Sequence, residues 1–515
     1  MIRELLSRDA KSPLFVFDLA NNHQGDVEHA TKIIETLGEK VKKTKTKAAI
    51  KFQYRDLETY IHQSYADRDD LKYITRFKST RLKQIDLEKL AKLGKALGFY
   101  TMTTPFDEES VDLANQFEID ILKIASASAD DLPLIKKIVK QGKPIIASTG
   151  GLKLEQIDKL VRMLENSNNE FAIMHCVSIY PTPDEMLNLN QIAMIKERYP
   201  NIAVGWSTHE DPKNLMPVSI ATALGASIFE RHVGLLSKKY VLNEYSSTPE
   251  QIEAWLIQQK YTAELLGAFE RPPTSISESD SLSQLKRGIY SSEKIMKGER
   301  ITSHNAHFAF PSIPHQIGPS RADDVFIAKQ DIVGGEPILE QNVNFLEDTE
   351  DFVPSILLQV RGMLSKSRTA INSDAEFEIS HHYGLSRFRE FGAILITCIN
   401  REYAKKIVVQ LPRQKHPYHL HNKKEETFQL LWGDLELTIN GNSNKMKPGD
   451  AILVKPGEWH KFQTLNGAVI EEISTRSLVS DSVYEDPKIK SISVADRKTQ
   501  VLDWHKYFGF IHELR

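Results

Sequence analysis

The first half of the chain alternates short apolar runs with longer amphipathic stretches. Eight runs stand out: FVFDLANNH (Phe15–His23), AAIKFQ (Ala48–Gln53), YTMTTPF (Tyr100–Phe106), ILKIASAS (Ile121–Ser128), PIIASTGG (Pro144–Gly151), FAIMHCVSIYP (Phe171–Pro181), IAVGWSTH (Ile202–His209) and IFERHVG (Ile228–Gly234). Each ends in polar residues. Apolar spacing of the kind seen at Leu90, Leu93 and Leu97 predicts helices between them, over Val27–Val41, Asp86–Leu97, Glu108–Gln116, Leu132–Lys140, Leu154–Glu165, Asn190–Tyr199, Lys213–Leu224 and Pro249–Leu266. Eight strand–helix repeats with polar strand ends predict an α/β fold, a (β/α)8 TIM-type barrel from about Leu14 to about Gly267. The longest βα connection, Tyr54 to Lys83, is rich in Asp, Lys, Arg and Tyr and reads as a lid or binding loop.

The pattern changes twice afterwards. Glu270–Gln284 reads as a linker by composition, and about sixty residues of short strands with Gly turns follow, containing the similar phrases KIMKGERIT and DIVGGEPIL. Beyond Thr349, turns at Gly433, Asn440-Gly441, Pro448-Gly449 and Pro456-Gly457 separate evenly spaced strands, which predicts an antiparallel β-barrel. The expected division is a barrel domain over 1–270, a small β-rich domain over 283–345 and a second β domain over 349–515.

Composition narrows the function classes. A chain of 515 residues, 41% apolar and 26% charged, is ordinary for a globular protein of several domains. Its net charge of -3 without a basic block argues against a nucleic-acid or membrane-surface partner. Two cysteines, Cys176 and Cys398, and no long apolar stretch give the expectation of a reducing, cytoplasmic setting.

Candidate chemistry collects at the barrel strand ends. Lys51 and Lys123 lie on alternate strands and aim at one C-terminal opening, with Thr104, Ser126, Ser148 and Ser207 at equivalent depth. A lysine in an apolar run needs a negative partner. Two of them with four hydroxyls point to an anion such as a phosphate plus a carboxylate, against the alternative of ion pairs with Asp18 and Glu230. Gly150-Gly151 is expected to open a helix and offer backbone N–H groups to a phosphate. His209 and His232 end neighbouring strands and could hold one divalent metal, and Asp18 is a candidate general base, with His23 five residues beyond it.

The phrases DLANNHQG, IKFQ, TTPFD, LKIAS, ASTGG, MHCVSIYPTP, GWSTH and FERH resemble, in order, the motifs of the sialic acid synthase family, and the RGIY…KGERIT unit resembles the antifreeze-like (SAF) domain that follows the barrel there. The resemblance implies a metal-dependent aldol-type condensation of phosphoenolpyruvate with a sugar aldehyde, an aldose or N-acyl-hexosamine, giving a 3-deoxy-ulosonic acid and phosphate. It implies Mn²⁺, Mg²⁺ or Co²⁺ in the barrel and a homodimer. Carried over by position, Lys51, Thr104, Lys123, Ser126, Ser148 and Ser207 match phosphoenolpyruvate contacts, Gln53, Phe106 and Tyr180 line the pocket, and His209 and His232 are metal ligands. Asp18 stands at a catalytic glutamate. The sugar side departs. Ser128 replaces a sugar-binding carboxylate, Ser178 replaces an asparagine, an aspartate is missing before Ser246, and Phe310 stands where an arginine reaches the partner subunit's sugar, with Arg321 as a possible substitute. The same reaction on a different aldehyde is the expectation.

In the last domain His419 and His421, two apart, face one side of a strand. Glu425 or Glu426 follows, the spacing to Gly433 favouring Glu426, and His460 lies beyond a Pro-Gly turn. Three histidines and a carboxylate suit Zn, Mn, Fe, Ni or Co. HLHNKKEETFQLLWG and PGEWHKF resemble the two cupin motifs, and the wider stretch resembles cupin-type lyxose isomerases. The neighbouring Lys423 and Lys424 read as solvated surface residues. The competing function is a cupin sugar isomerase or sugar-binding protein beside a degenerate barrel.

Overall fold

The structure is a computed structural model describing residues 2–508 apart from 8–9, 11, 69, 269–270, 323, 347–351, 479–480 and 494. It divides into two compact units, Met1–Pro273 and Thr274–Arg515.

The first unit is a closed parallel barrel of β1 (Leu14–Asp18), β2 (Lys47–Tyr54), β3 (Tyr100–Pro105), β4 (Ile121–Ile124), β5 (Ile145–Ser148), β6 (Phe171–Cys176), β7 (Ala203–Thr208) and β8 (Ile228–His232). Strand alternation sorts the side chains. Phe15, Phe17, Ile50, Phe52, Leu122, Ile124, Val204, Trp206 and Phe229 face outward and pack on the helices. Leu14, Val16, Ala49, Met102, Ile121, Ile146, Met174 and Ile228 fill the lower interior, with Leu5 and Leu6 packed against them. The next inward positions toward the strand ends are Asp18, Lys51, Lys123, Ser148, Ser207, Glu230 and His232. An apolar layer thus lies beneath a polar one inside one barrel.

The helices follow the predicted spacing closely, and those over Glu108–Gln116, Leu154–Glu165 and Pro249–Leu266 have the predicted bounds. Three expectations are corrected. The 54–83 connection is partly helical, with Leu57–Tyr60 capped by Asp56 and a second helix over Lys72–Ser79. The polar 270–284 stretch carries a helix, Ile276–Ser283. Ser275 accepts from the Glu278 backbone N–H, a cap that local hydrogen bonding provides without apolar burial. The helix expected from Gly150 begins instead at Leu154, because Gly151 takes φ +77 in a turn.

The second unit holds two small antiparallel sheets first, Gly288–Ser291 with Ala306–Ala309, and Arg300–Ile301, Val325–Ala328 and Val343–Leu346. They close over a core of Ile289, Ile295, Ile317, Phe326, Ile332 and Ile338. A helix over Phe352–Lys366 follows, which the all-β expectation for this region missed. Its buried Ile356, Leu357, Val360, Met363 and Leu364 have helical spacing and pack on Phe377, Ile394 and Val469. The remaining strands form a seven-stranded and a five-stranded antiparallel sheet. Glu426–Gly433 lies in the former, and His419–His421 and His460–Gln463 pair in the latter.

Candidate active site and metal centre

At the barrel mouth the register sets Asp18 beside both Lys51 and His232, and Ser207 beside Glu230. Lys51 Nζ lies 3.0 Å from Asp18 and 2.9 Å from Glu230, both buried. Lys123 Nζ donates to Ser148 Oγ at 2.6 Å and to Glu230 at 3.2 Å, and Ser207 Oγ donates to Glu230 at 2.9 Å. The ion-pair alternative is therefore present. Two ammonium groups and two carboxylates balance, and each lysine still has N–H capacity beyond its two contacts. Burial opposes the charge on Lys51, but Asp18 and Glu230 overcome it and hold its pKa above the usual lysine value. Lys123 touches Glu230 alone among carboxylates, and there burial wins and its pKa falls. Glu230 and Asp18 are pulled below the ordinary carboxyl range by the lysines, against their burial.

His209 donates from Nδ1 to the Val177 carbonyl at 3.1 Å, which leaves its Nε2 lone pair free. Burial, with His232 beside it, lowers its pKa to about 3, so it is a neutral ligand. The two rings are 5.2 Å apart, and His232 Nε2 lies 3.4 Å from Asp18. The two neutral imidazoles are donors of the type a divalent cation takes, while Asp18 is engaged by Lys51 and Gln53. Gln53 Nε2 donates to Asp18 at 3.1 Å. Thr104 is buried with no hydrogen-bond partner for its hydroxyl. Ser126 Oγ accepts from the Gly150 N–H at 3.0 Å, and a Cβ on Gly150 would sit 2.7 Å from Ser126 Oγ and 2.6 Å from Ser178 Oγ. Ser178 is exposed, and Tyr180 is 50% exposed with its ring 4.2 Å from that of His209.

Some neighbours were not singled out from the sequence. Tyr245 packs against Tyr180, His209 and His232. Arg55 Cζ lies over the rings of Phe106 and Phe77, 3.7 and 4.2 Å from their centres. Glu210 and Arg231, each next in sequence to one of the two histidines, form a fully buried pair at 2.7 Å. Alternation along Lys51, Gln53, Arg55 could have found the second of these, since the three share strand parity.

In the second unit, His419, His421, Glu426 and His460 are buried with ligand atoms within 4.8 Å of one another. Glu425 is exposed, so the favoured Glu426 is the residue brought to the cluster. His419 Nδ1 donates to the Pro417 carbonyl at 3.0 Å and His460 Nδ1 to the Glu458 carbonyl at 3.1 Å. His460 Nε2 and Glu426 Oε2 stand 3.1 Å apart, both buried and without a hydrogen bond. That contact needs a proton or a metal cation between the two atoms, and with four ligand atoms within 4.8 Å of one another the donor set fits a divalent metal. The surface expectation for Lys424 is overturned. It is buried, contacts Glu426 Oε1, and lies 2.6 Å from Glu472 Oε1. Two interior carboxylates draw it in, whereas Lys423 stays exposed. Phe310 is 63% exposed, and Arg321 is held within its own module by Asp324 at 2.6 Å and by the rings of Phe326 and Phe345.

Fold and sites together define a barrel enzyme with a polar, metal-suited mouth, continued by a histidine-bearing β domain. Residues 40–270 match the NeuB family and residues 406–469 match the cupin domain. A protein of Methanocaldococcus jannaschii is 31% identical over 292 residues, spanning 56% of this chain and 82% of that protein. The N,N'-diacetyllegionaminic acid synthase of Campylobacter jejuni is 26% identical over 308 residues, 57% of this chain and 89% of that protein. Among solved structures, a spore coat polysaccharide biosynthesis protein E of Chromobacterium violaceum aligns at TM-score 0.62 with 40% identity, over 65% of this chain and 100% of that chain. The chain belongs to the NeuB family and carries a cupin domain after it. Among the described residues no helix is long and apolar enough to cross a membrane.

Proposed function

We propose that the barrel condenses phosphoenolpyruvate with a sugar aldehyde, an aldose or N-acyl-hexosamine, and releases a sialic-acid-like 3-deoxy-ulosonic acid and inorganic phosphate. The observation that carries this reading is the layer of Lys51, Lys123, Ser148 and Ser207 beside His209 and His232 at one barrel mouth. The Campylobacter relative, an N,N'-diacetyllegionaminic acid synthase, agrees with it. C3 of phosphoenolpyruvate forms the new bond to the aldehyde carbon. Water adds at C2, Asp18 takes its proton, and that proton passes on to the former aldehyde oxygen, which becomes the new hydroxyl. The C2–O bond to phosphate then breaks as the C2 hydroxyl becomes the carbonyl and its proton leaves with the phosphate, and the departing charge is met by Lys51, Lys123 and the serines. Ser126, Ser178 and Gly150 line the entrance beside them, and Thr104, Gln53, Phe106 and Tyr180 complete the pocket. A divalent cation on His209 and His232 would supply polarisation of the aldehyde oxygen.

The small module, expected over 283–345, would act in a homodimer, and the cupin domain, expected over 349–515, would bind or isomerise a related sugar. The unpartnered His460 Nε2 and Glu426 Oε2 favour a metal there. The test is phosphate release from phosphoenolpyruvate with Mn²⁺ across a panel of aldoses and N-acyl hexosamines, with His209→Ala as control. Release that needs both sugar and His209 is expected. Failure to bind phosphoenolpyruvate would overturn the synthase reading and leave the cupin isomerase as the activity.

A further inference from the structure

The 54–83 connection and its first residues carry four arginines, and their pairing divides them. Arg68 is tied to Asp70 at 2.6 Å and Arg81 to Glu58 at 3.0 Å, both pairs exposed. Among the described residues, Arg55 and Arg76 have no carboxylate within ion-pair distance. Both are partly buried. Arg55 Nη2 donates to Gln53 Oε1 at 3.1 Å, and Gln53 in turn donates to Asp18, so a continuous chain of hydrogen bonds runs from Arg55 to the reaction centre. Arg55 Nε is buried without a partner. The rings of Phe77 and Phe106 both lie against its guanidinium, 4.2 and 3.7 Å from Cζ, which leaves its N–H edge as the group to meet a ligand. Arg76 immediately precedes Phe77 on the helix over Lys72–Ser79, the helix whose Phe77 ring lies against Arg55, and it is close enough to His23 and Tyr245 for its charge to disfavour their more positive forms, Tyr245 bordering the histidine pair.

Depth supports a second anion subsite. Lys51, Gln53 and Arg55 share one strand parity, and two residues of strand advance about 7 Å. Arg55 is therefore about 13 Å of backbone beyond Lys51, toward solvent. A phosphate and carboxylate held at the lysines would not reach it, whereas the far end of a five- or six-carbon acceptor would. A partly buried guanidinium without an acid is suited to a planar or tetrahedral oxyanion.

We propose that Arg55 and Arg76 receive an oxyanion, a phosphate or a carboxylate, on the acceptor sugar at the end remote from its aldehyde. This rests on the synthase reading of the barrel. It also fits a sugar side on which Ser128 stands where the resemblance implies a carboxylate.

The test uses the full chain with phosphoenolpyruvate and Mn²⁺ and three matched probes: mannose, mannose 6-phosphate and mannuronate. Binding is read by calorimetry and turnover by phosphate release. Wild type should favour one charged probe over mannose by about 10-fold or more, and which probe it favours tells phosphate from carboxylate. Arg55→Gln and Arg76→Gln should each pull that ratio toward one without changing the affinity for phosphoenolpyruvate, and Arg55→Lys should restore part of it. Arg76→Gln does not touch the Phe77–Phe106 stack, so it separates charge from packing. Equal binding of the three probes, binding of none, or loss of phosphoenolpyruvate affinity in Arg55→Gln overturns the proposal. Absence of phosphoenolpyruvate binding in wild type is the separate failure of the synthase reading.

Discussion

Replacing Lys51 by Met tests whether the charges at the barrel mouth form one balanced unit. Lys51 and Lys123 supply two positive charges, and Asp18 and Glu230 two negative ones, all buried. Lys51→Met keeps most of the apolar stem but leaves one net negative charge, with Asp18 having lost its 3.0 Å partner. Removing one partner of a buried pair costs about 3–5 kcal/mol. For a unit of this size that lowers the melting temperature by about 6–20 °C. Adding Asp18→Asn leaves Lys123 and Glu230 as a neutral pair, so the double variant should recover at least half of the loss. Calorimetry of the full chain reads the transition. Hydrogen exchange of peptides from β1 and β8 assigns it to the barrel. A single variant within about 1 kcal/mol of wild type, or a double variant whose losses simply add, would refute the shared network.

Three further outcomes are expected. Gly150→Ala should weaken phosphoenolpyruvate binding with little change in melting temperature, because its Cβ would press on Ser126 and Ser178 at the entrance; unchanged affinity in a titration would show that the entrance does not touch the ligand. His23 has its pKa lowered to about 4 by burial, with Arg76 adding to it, against 6.5 in the unfolded chain. The unfolded state takes up the proton first, so stability falls as pH drops from about 6.5 to about 4, by about 3 kcal/mol in all. His23→Gln should flatten that slope in denaturant titrations between pH 4 and 7. A cupin metal at 100 times its Kd stabilises its domain by about 2.7 kcal/mol. EDTA should therefore lower one calorimetric transition of wild type but not of His460→Ala, and metal analysis should show one equivalent fewer in the variant.

Local pattern determined much of this protein. The eight barrel strands, their alternation and the polar residues at their ends were legible because strand parity and helical spacing are properties of neighbouring residues. The same holds for His419 and His421, two apart on one strand, and for the choice of Glu426 over Glu425. Other features depended on which strands lie side by side. Glu230 serves both Lys51 and Lys123 only because the closed barrel brings β8, β2 and β4 around one interior. Arg55 is stacked because Phe77 and Phe106 arrive from separate elements, and among the described residues no carboxylate lies within ion-pair distance of it. Lys424 looked like a surface residue after a turn, yet Glu472, 48 residues away on another strand, holds it inside. A buried charge is tolerated only where a distant partner meets it. Sequence by itself determined which side chains could carry charge and metal, and tertiary register alone decided which of them are paired.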